Sequence, residues 1–210
     1  DDSCVPQNLT TLAEDLQRAG YWTVGVVSNR FLFRPAGYDQ GFDEWIEVAA
    51  DDPDEIRKVL AQARSGKRVQ AAVNEVLERI PSQPLFLYVH YMEAHDYEIW
   101  DATYFEGVSA MDDNLGHLLD HLEARGLLEG AVVFFTSDHG EILDETYPGY
   151  RTRTHNGNPS FQPVLEIPLI VSPARFADTQ ALVRSQDIGD LIREAAGIEP
   201  ARSSGALAPD

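Results

Sequence analysis

The chain has a single cysteine, Cys4, so no disulfide can form within it. That fits a reducing compartment without establishing one. No apolar run approaches the roughly 18 residues that a membrane-spanning helix needs, and the N-terminus carries neither a signal-peptide pattern nor an initiator Met. The opening "DDSCVPQN" reads as the interior of something longer, and the expectation is a fragment. Cations are scarce. Sixteen Lys and Arg face 35 Asp and Glu, a net charge of −19. The shortage argues against nucleic acid and anionic membranes as partners, because both are bound by clustered Lys and Arg that displace counterions. A small anionic substrate stays open, since a bound divalent cation reverses the local field. Internal repeats and low-complexity segments are also missing.

What is there suits one sizeable core: 210 residues, 43% of them hydrophobic. "TTLAEDLQRAG" predicts a helix, with Thr10 or Thr11 as cap and Gly20 as stop. "WTVGVVS" predicts a short apolar strand, and "RPAGYDQGFDEW" a structured loop with little regular structure. Residues 53–80 predict a helix pair or an interrupted helix, broken at Ser65-Gly66. After Pro84, "LFLYVHY" predicts a buried strand. A long helix follows in "YFEGVSAMDDNLGHLLDHLEARG", with Val108, Met111, Leu115, Leu118, Leu119 and Leu122 in one stripe. "AVVFFTS" and "IPLIVS" predict two further strands, and "RSQDIGDLIREAAG" a last helix. Apolar strands alternating with helices imply an α/β fold, a mostly parallel sheet with helices on both faces. The expected organisation is one domain over residues 1–200, with 201–210 as tail or linker.

In such sheets ligands gather beyond the carboxyl ends of the strands. "FFTSDHGEIL" runs apolar and then breaks into Asp138, His139 and Gly140. "LFLYVHY" leads to Met92-Glu93-Ala94-His95-Asp96 at what should be the same edge. Asp138 offers a hard anionic ligand and His139 a neutral donor, and Gly140 permits the bend that lets both reach one ion. By itself the tripeptide reads as readily as a hydrogen-bonded strand cap. His95 alone reads as a solvated loop residue, and His155 in "TRTHNGNPSF" as a surface histidine. His117 and His121 stand four apart on the long helix, but "HLLDH" lacks the glutamate of a metalloprotease helix, and the pair reads as a solvated face. Glu141 and Asp144 read as exposed carboxylates.

Taken in order, "TLAEDLQRAGYWTVGVVSN", "GYDQGFDEW", "PLFLYVHYMEAHDYE", "YFEGVSAMDDNLGHLLDHLEARGLLEGAVVFFTSDHGE", "THNGNPSFQPVLEIPLIV" and "SQDIGDLIREAAGIEP" resemble the sulfatase family of the alkaline phosphatase superfamily. The resemblance covers nearly the whole chain and implies an alkaline-phosphatase-like fold, seen here in part. It implies that Asp138 and His139 ligate a divalent cation, Ca²⁺ first, with Mg²⁺ or Mn²⁺ as alternatives. It implies that His95, the histidine of an "M-x-P-H" block in which Ala94 replaces Pro, contacts the transferred sulfate or phosphate. It implies that His155 steadies the ester oxygens or leaving group, in a "THG" motif interrupted here by Asn156.

The implied activity is hydrolysis of a small anionic ester, a sulfate or, in cousins of the family, a phosphate or phosphonate. A truncated relative that binds without turnover is the reading from another class. The family nucleophile, a Cys or Ser in C/S-x-P-x-R with the Cys converted to formylglycine, would lie upstream of the "TLAE" helix. Here "CVPQN" places Cys4 and Pro6 at that spacing but Asn8 where Arg belongs, and it runs straight into the helix. Part of the metal shell is expected upstream as well. The chain alone is therefore expected to be inactive. Residues 30–45 and 146–153 are expected to shape the pocket, with Tyr38, Phe42, Trp45, Tyr147 and Tyr150 able to stack on a ring or to pack in the core.

Overall fold

A computed structural model of the chain describes residues 5–48, 65–97, 101–143, 161–174, 176 and 182–199. The chain divides into two compact units, Asp1–Glu129 and Gly130–Asp210.

The first unit opens with α1 (Leu12–Arg18), held by a capping box: Glu14 N donates to Thr11 Oγ1 at 3.1 Å and Thr11 N to Glu14 Oε2 at 2.8 Å. Gly20, at φ +91°, turns the chain into β1 (Trp22–Val27). β1 is the centre of a three-stranded parallel sheet, flanked by β2 (Glu44–Glu47) and β3 (Leu85–Val89). Alternation along β1 sends Val24 and Val26 to one face, where both are fully buried. There they meet Val69, Val73 and Val76 of α2 (Ser65–Leu77) and Leu118 of α3 (Tyr104–Ala124). Leu115 and Leu122 of the expected stripe pack against the same cluster. A second capping box, Thr103 with Glu106, starts α3, and Gly126 at φ +71° follows its end.

The other face of β1 carries Gly25. Trp45 lies across it so closely that a Cβ would overlap the indole. The indole stacks on Tyr88, 6.2 Å away and tilted by 7°, and Phe42 joins it at 4.7 Å.

β2 was not expected: its residues fall at the end of, and just beyond, the segment read as loop. "EWIE" is only four residues, and two apolar side chains stand next to each other, so no alternation announces a strand. Its register depends instead on a tertiary clamp. Asp43 Oδ2 accepts from Thr23 N at 2.9 Å and Thr23 Oγ1 at 3.0 Å, and its Oδ1 from Gln17 at 2.7 Å. Two short 3-10 turns, Arg30–Leu32 just before that loop and Arg34–Ala36 at its start, complete the connection.

In the second unit β4 (Val133–Thr136) pairs with β5 (Leu169–Ser172) in antiparallel register, Val133 opposite Ser172. Parallel pairing therefore holds for β1, β2 and β3 but not for this ladder. Short apolar strands carry no sign of direction, and the long segment between them permits either. A short helix, α4 (Gln162–Leu165), precedes β5, and α5 (Ile188–Ala195) ends the described part. The helix expected from residue 53 lies outside the described residues before Ser65, as does the tail after 199. Among the described residues no helix is long and apolar enough to cross a membrane.

Candidate functional site

Two strand exits carry the candidate residues. β3 leaves the sheet under tight control: His90 N donates to Val26 O at 2.9 Å, and Ser28 Oγ to His90 O at 3.0 Å. The chain then makes a helical turn in which His95 N and Asp96 N both donate to Met92 O, at 3.0 and 2.8 Å.

Glu93 points inward from this turn and is completely buried. Its Oε1 accepts from Gly66 N at 2.5 Å, at the start of α2, with Ser65 Oγ at 3.5 Å. Two glycines make room. A Cβ on Gly66 would stand 2.5 Å from Glu93 Oε1, and one on Gly107 would stand 2.6 Å from Glu93 O. Among the described residues, Glu93 Oε2 has no hydrogen-bond partner, nor has the buried Tyr91 hydroxyl. Burial pushes the Glu93 carboxyl above its ordinary range, against the amides of Gly66, Glu93 and Met92, and nearby Asp96 pushes the same way. Burial, then the Glu93 charge, raise Tyr91 too.

His95 is the exposed member of the turn. Its Nδ1 lies 2.9 Å from Oδ1 of Asp96, which is 7% exposed. Because a carboxylate only accepts, the proton of that bond sits on Nδ1. Sequence reasoning placed His95 but gave no role to Glu93 or Asp96. The acid directly after the histidine was the available signal for Asp96.

β4 ends at Thr136, and Asp138 and His139 follow as expected of a strand exit. His139 N donates to Asp138 Oδ1 at 3.0 Å, and Ser137 Oγ to His139 O at 2.5 Å. His139 Nδ1 meets Gly140 O at 2.8 Å, which again puts the proton on Nδ1 and makes Nε2 the lone-pair nitrogen. That Nε2 lies 3.8 Å from Asp138 Oδ2, with Asp138 75% exposed. Gly140 is obligatory: its N–H donates to Val164 O at 2.8 Å, and a Cβ there would collide with the Pro163 carbonyl.

Two converging donors, one anionic oxygen and one imidazole nitrogen, fit part of a divalent-cation shell. Among the described residues no group of three or more His, Cys, Asp or Glu comes together as a metal site, so further ligands would have to come from elsewhere.

His95 belongs to the first unit and the Asp138–His139 pair to the second. His155, Asp144, residues 146–153 and Cys4 lie outside the described residues. His117 is exposed and His121 half-buried on α3, in keeping with a helix face. Phe42 and Trp45 pack on the sheet, whereas Tyr38 is exposed.

The Sulfatase family model matches residues 2–198. The chain belongs to the sulfatase family. A choline-sulfatase of Rhizobium meliloti (strain 1021) is 26% identical over 106 residues, covering 46% of this chain and 21% of that protein. The lipoteichoic acid synthase LtaP from Listeria monocytogenes superposes with a TM-score of 0.57 at 19% identity, over 92% of this chain and 54% of that one. BT4656, solved in complex with its substrate D-glucosamine-2-N,6-O-disulfate, superposes at 0.65 with 15% identity, over 96% and 63%. This sulfatase-family chain thus spans about a fifth of the curated relative and between half and two thirds of these solved chains. The fold is that of these neighbours, an α/β architecture with a parallel sheet and helices.

Proposed function

We propose that the chain is the central part of a metal-dependent hydrolase of sulfate esters, with Asp138 and His139 as metal ligands and His95 and His155 at the ester. The observation that carries this reading is the family match, whose span of residues 2–198 includes both strand exits. It also supports reading the two units as parts of one catalytic domain over residues 1–200. The sulfated substrate held by BT4656 favours sulfate as the class of ester.

A bound divalent cation, Ca²⁺ before Mg²⁺ or Mn²⁺, would supply Lewis-acid stabilisation of charge on non-bridging oxygens. The chain's own part is electrostatic and positional. His95 donates to an oxygen of the sulfuryl group, where negative charge is shared as the S–O bond to the leaving group lengthens. His155 hands its proton to the departing alkoxide. Asp138 and His139 hold their donors close, with the His139 ring fixed against the Gly140 carbonyl. The nucleophile, a formylglycine, is assigned to a C/S-x-P-x-R segment that this chain does not contain, and the chain alone is inactive.

The second reading is phosphoric or phosphonic ester chemistry on the same scaffold, favoured by the lipoteichoic acid synthase among the structural neighbours. Turnover of 4-nitrophenyl sulfate and 4-nitrophenyl phosphate by the full protein, with and without chelator, separates them. The sulfate ester is expected to be the better substrate, and the chelator to abolish its turnover. A full protein that prefers the phosphate ester refutes the sulfatase reading. Activity untouched by chelation refutes the metal assignment.

A further inference from the structure

We propose that Asp96 is a positioning residue for His95, fixing its imidazole in the Nδ1–H tautomer so that Nε2 is the nitrogen that serves the ester. The inference rests on the proposed function for the role of His95, but the pairing itself is a property of this chain.

Successive residues of a helical turn do not face each other. Contact between the side chains of His95 and Asp96 therefore requires the ring to fold back along the chain. The turn is built for it. Met92 O takes both amide protons, which fixes the two backbones together. Glu93, on the inner side of the same turn, anchors it to Gly66 at the start of α2.

Asp96 is buried while the His95 side chain is 46% exposed, so the carboxylate is the fixed member and the ring the presented one. A neutral imidazole has one donor and one acceptor nitrogen, and the hydrogen bond at one sets the state of the other. With Nδ1 committed as donor to Asp96, an ester oxygen falls to Nε2. When that nitrogen is protonated to meet a sulfuryl oxygen, the ring becomes a cation with Asp96 already at 2.9 Å. The carboxylate thus steadies positive charge at the moment negative charge grows on the ester, without itself touching the substrate.

The first test is nuclear magnetic resonance of the ¹⁵N-labelled chain at about pH 8.5, where neutral imidazole dominates for ordinary histidines. Long-range proton–nitrogen correlations, assigned by loss of the His95 signal in His95→Gln, report the tautomer directly. The expected pattern is Nδ1–H in the parent and a shift toward Nε2–H in Asp96→Asn, whose amide can donate to Nδ1. An Nε2–H pattern in the parent, or an unchanged Nδ1–H pattern in both Asp96→Asn and Asp96→Ala, overturns the pairing.

The second test is turnover of 4-nitrophenyl sulfate by the full protein. Asp96→Asn is expected to lower kcat by about 10- to 100-fold while KM stays near the parent value, and Asp96→Glu to recover part of the loss. A change in KM alone, or an unchanged kcat, overturns the positioning role. A parent with the expected tautomer that hydrolyses no sulfate ester supports the pairing and sinks the hydrolase reading instead, so the two failures are distinguishable.

Discussion

Glu93→Gln and Glu93→Ala should part company in a way that follows from the geometry of one buried carboxyl. Glu93 is fully buried, its Oε1 accepts from Gly66 N, and its Oε2 has no partner among the described residues. Truncation to Ala leaves the buried Gly66 N–H without its acceptor, at about 1–3 kcal/mol. The void left by the carboxymethyl group adds about 1 kcal/mol more. Gln keeps the shape and an oxygen for Gly66, so its cost should stay within about 1 kcal/mol.

The pH dependence has a definite sign. Burial raises the Glu93 carboxyl above its unfolded value of 4.5. For an acid raised in the folded state, the native protein holds the proton more tightly than the unfolded chain. Its contribution is therefore fully present below pH 4.5 and is lost as pH rises from there through the raised folded value. Glu93→Gln cannot ionise and escapes that loss. Urea denaturation followed by circular dichroism at about pH 5 and about pH 8 should show Gln gaining on the parent at the higher pH, with Ala least stable at both. If Gln is as destabilising as Ala at about pH 8, the native carboxyl is charged and paired, and the reasoning fails.

Other perturbations read other parts of the structure. Asp138→Ala should weaken divalent-metal binding by the full protein by orders of magnitude, measured by calorimetry, while His117→Ala on the exposed face of α3 leaves it unchanged; equal effects would sink the strand-exit assignment. Gly140→Ala should destabilise by about 1–3 kcal/mol in urea, since its Cβ meets backbone at Pro163 rather than a side chain that can swing away. Burial pushes the Asp43 carboxyl up, but hydrogen bonds from Thr23 and Gln17 outweigh it and hold it below its ordinary 3.8. Its stabilisation is therefore present above pH 3.8 and is lost as pH falls through the folded value. Asp43→Asn should cost about 1–2 kcal/mol at neutral pH, with the difference from the parent shrinking in acid denaturation.

The parts of the fold that could be read in advance are those whose signal is local. α1 announces itself by a Thr cap and α3 by its apolar spacing; Thr11 caps the first as expected, while the Thr103 cap of α3 comes from the structure. β1, β3 and β4 are apolar runs that end on polar residues, and the same contrast pointed to His95, Asp138 and His139. What stayed hidden depends on partners distant in sequence. β2 is held by Asp43 reaching Thr23, and Trp45 lies flat only because Gly25 lacks a Cβ. The antiparallel direction of β5 is likewise absent from its four residues. Glu93 looks like any loop acid until Gly66 and Gly107, 27 residues before it and 14 after it in the numbering, are seen to close around it. A glycine's partner is invisible in a string.

The two strand exits solve one problem twice. In each, the histidine gives its Nδ1 proton to the residue that follows it: to the Asp96 side chain in one, to the Gly140 carbonyl in the other. Each ring is thereby held as the Nδ1–H tautomer. The partners differ in charge, and the difference suits the separate roles proposed for them. A carbonyl fixes the tautomer while adding no net charge, which suits a ring that must offer a lone pair to a cation beside Asp138. A carboxylate fixes the same tautomer and also stabilises a ring that becomes positive, which suits one that meets a developing oxyanion. Exchanging the partners would therefore degrade each site differently, although both keep their histidine. The order of residues, His-Asp at one exit and Asp-His at the other, is what sets this difference. In the first the acid follows the ring and pairs with its Nδ1; in the second the acid precedes the ring and stands beside its Nε2, where the proposed function makes it a second ligand.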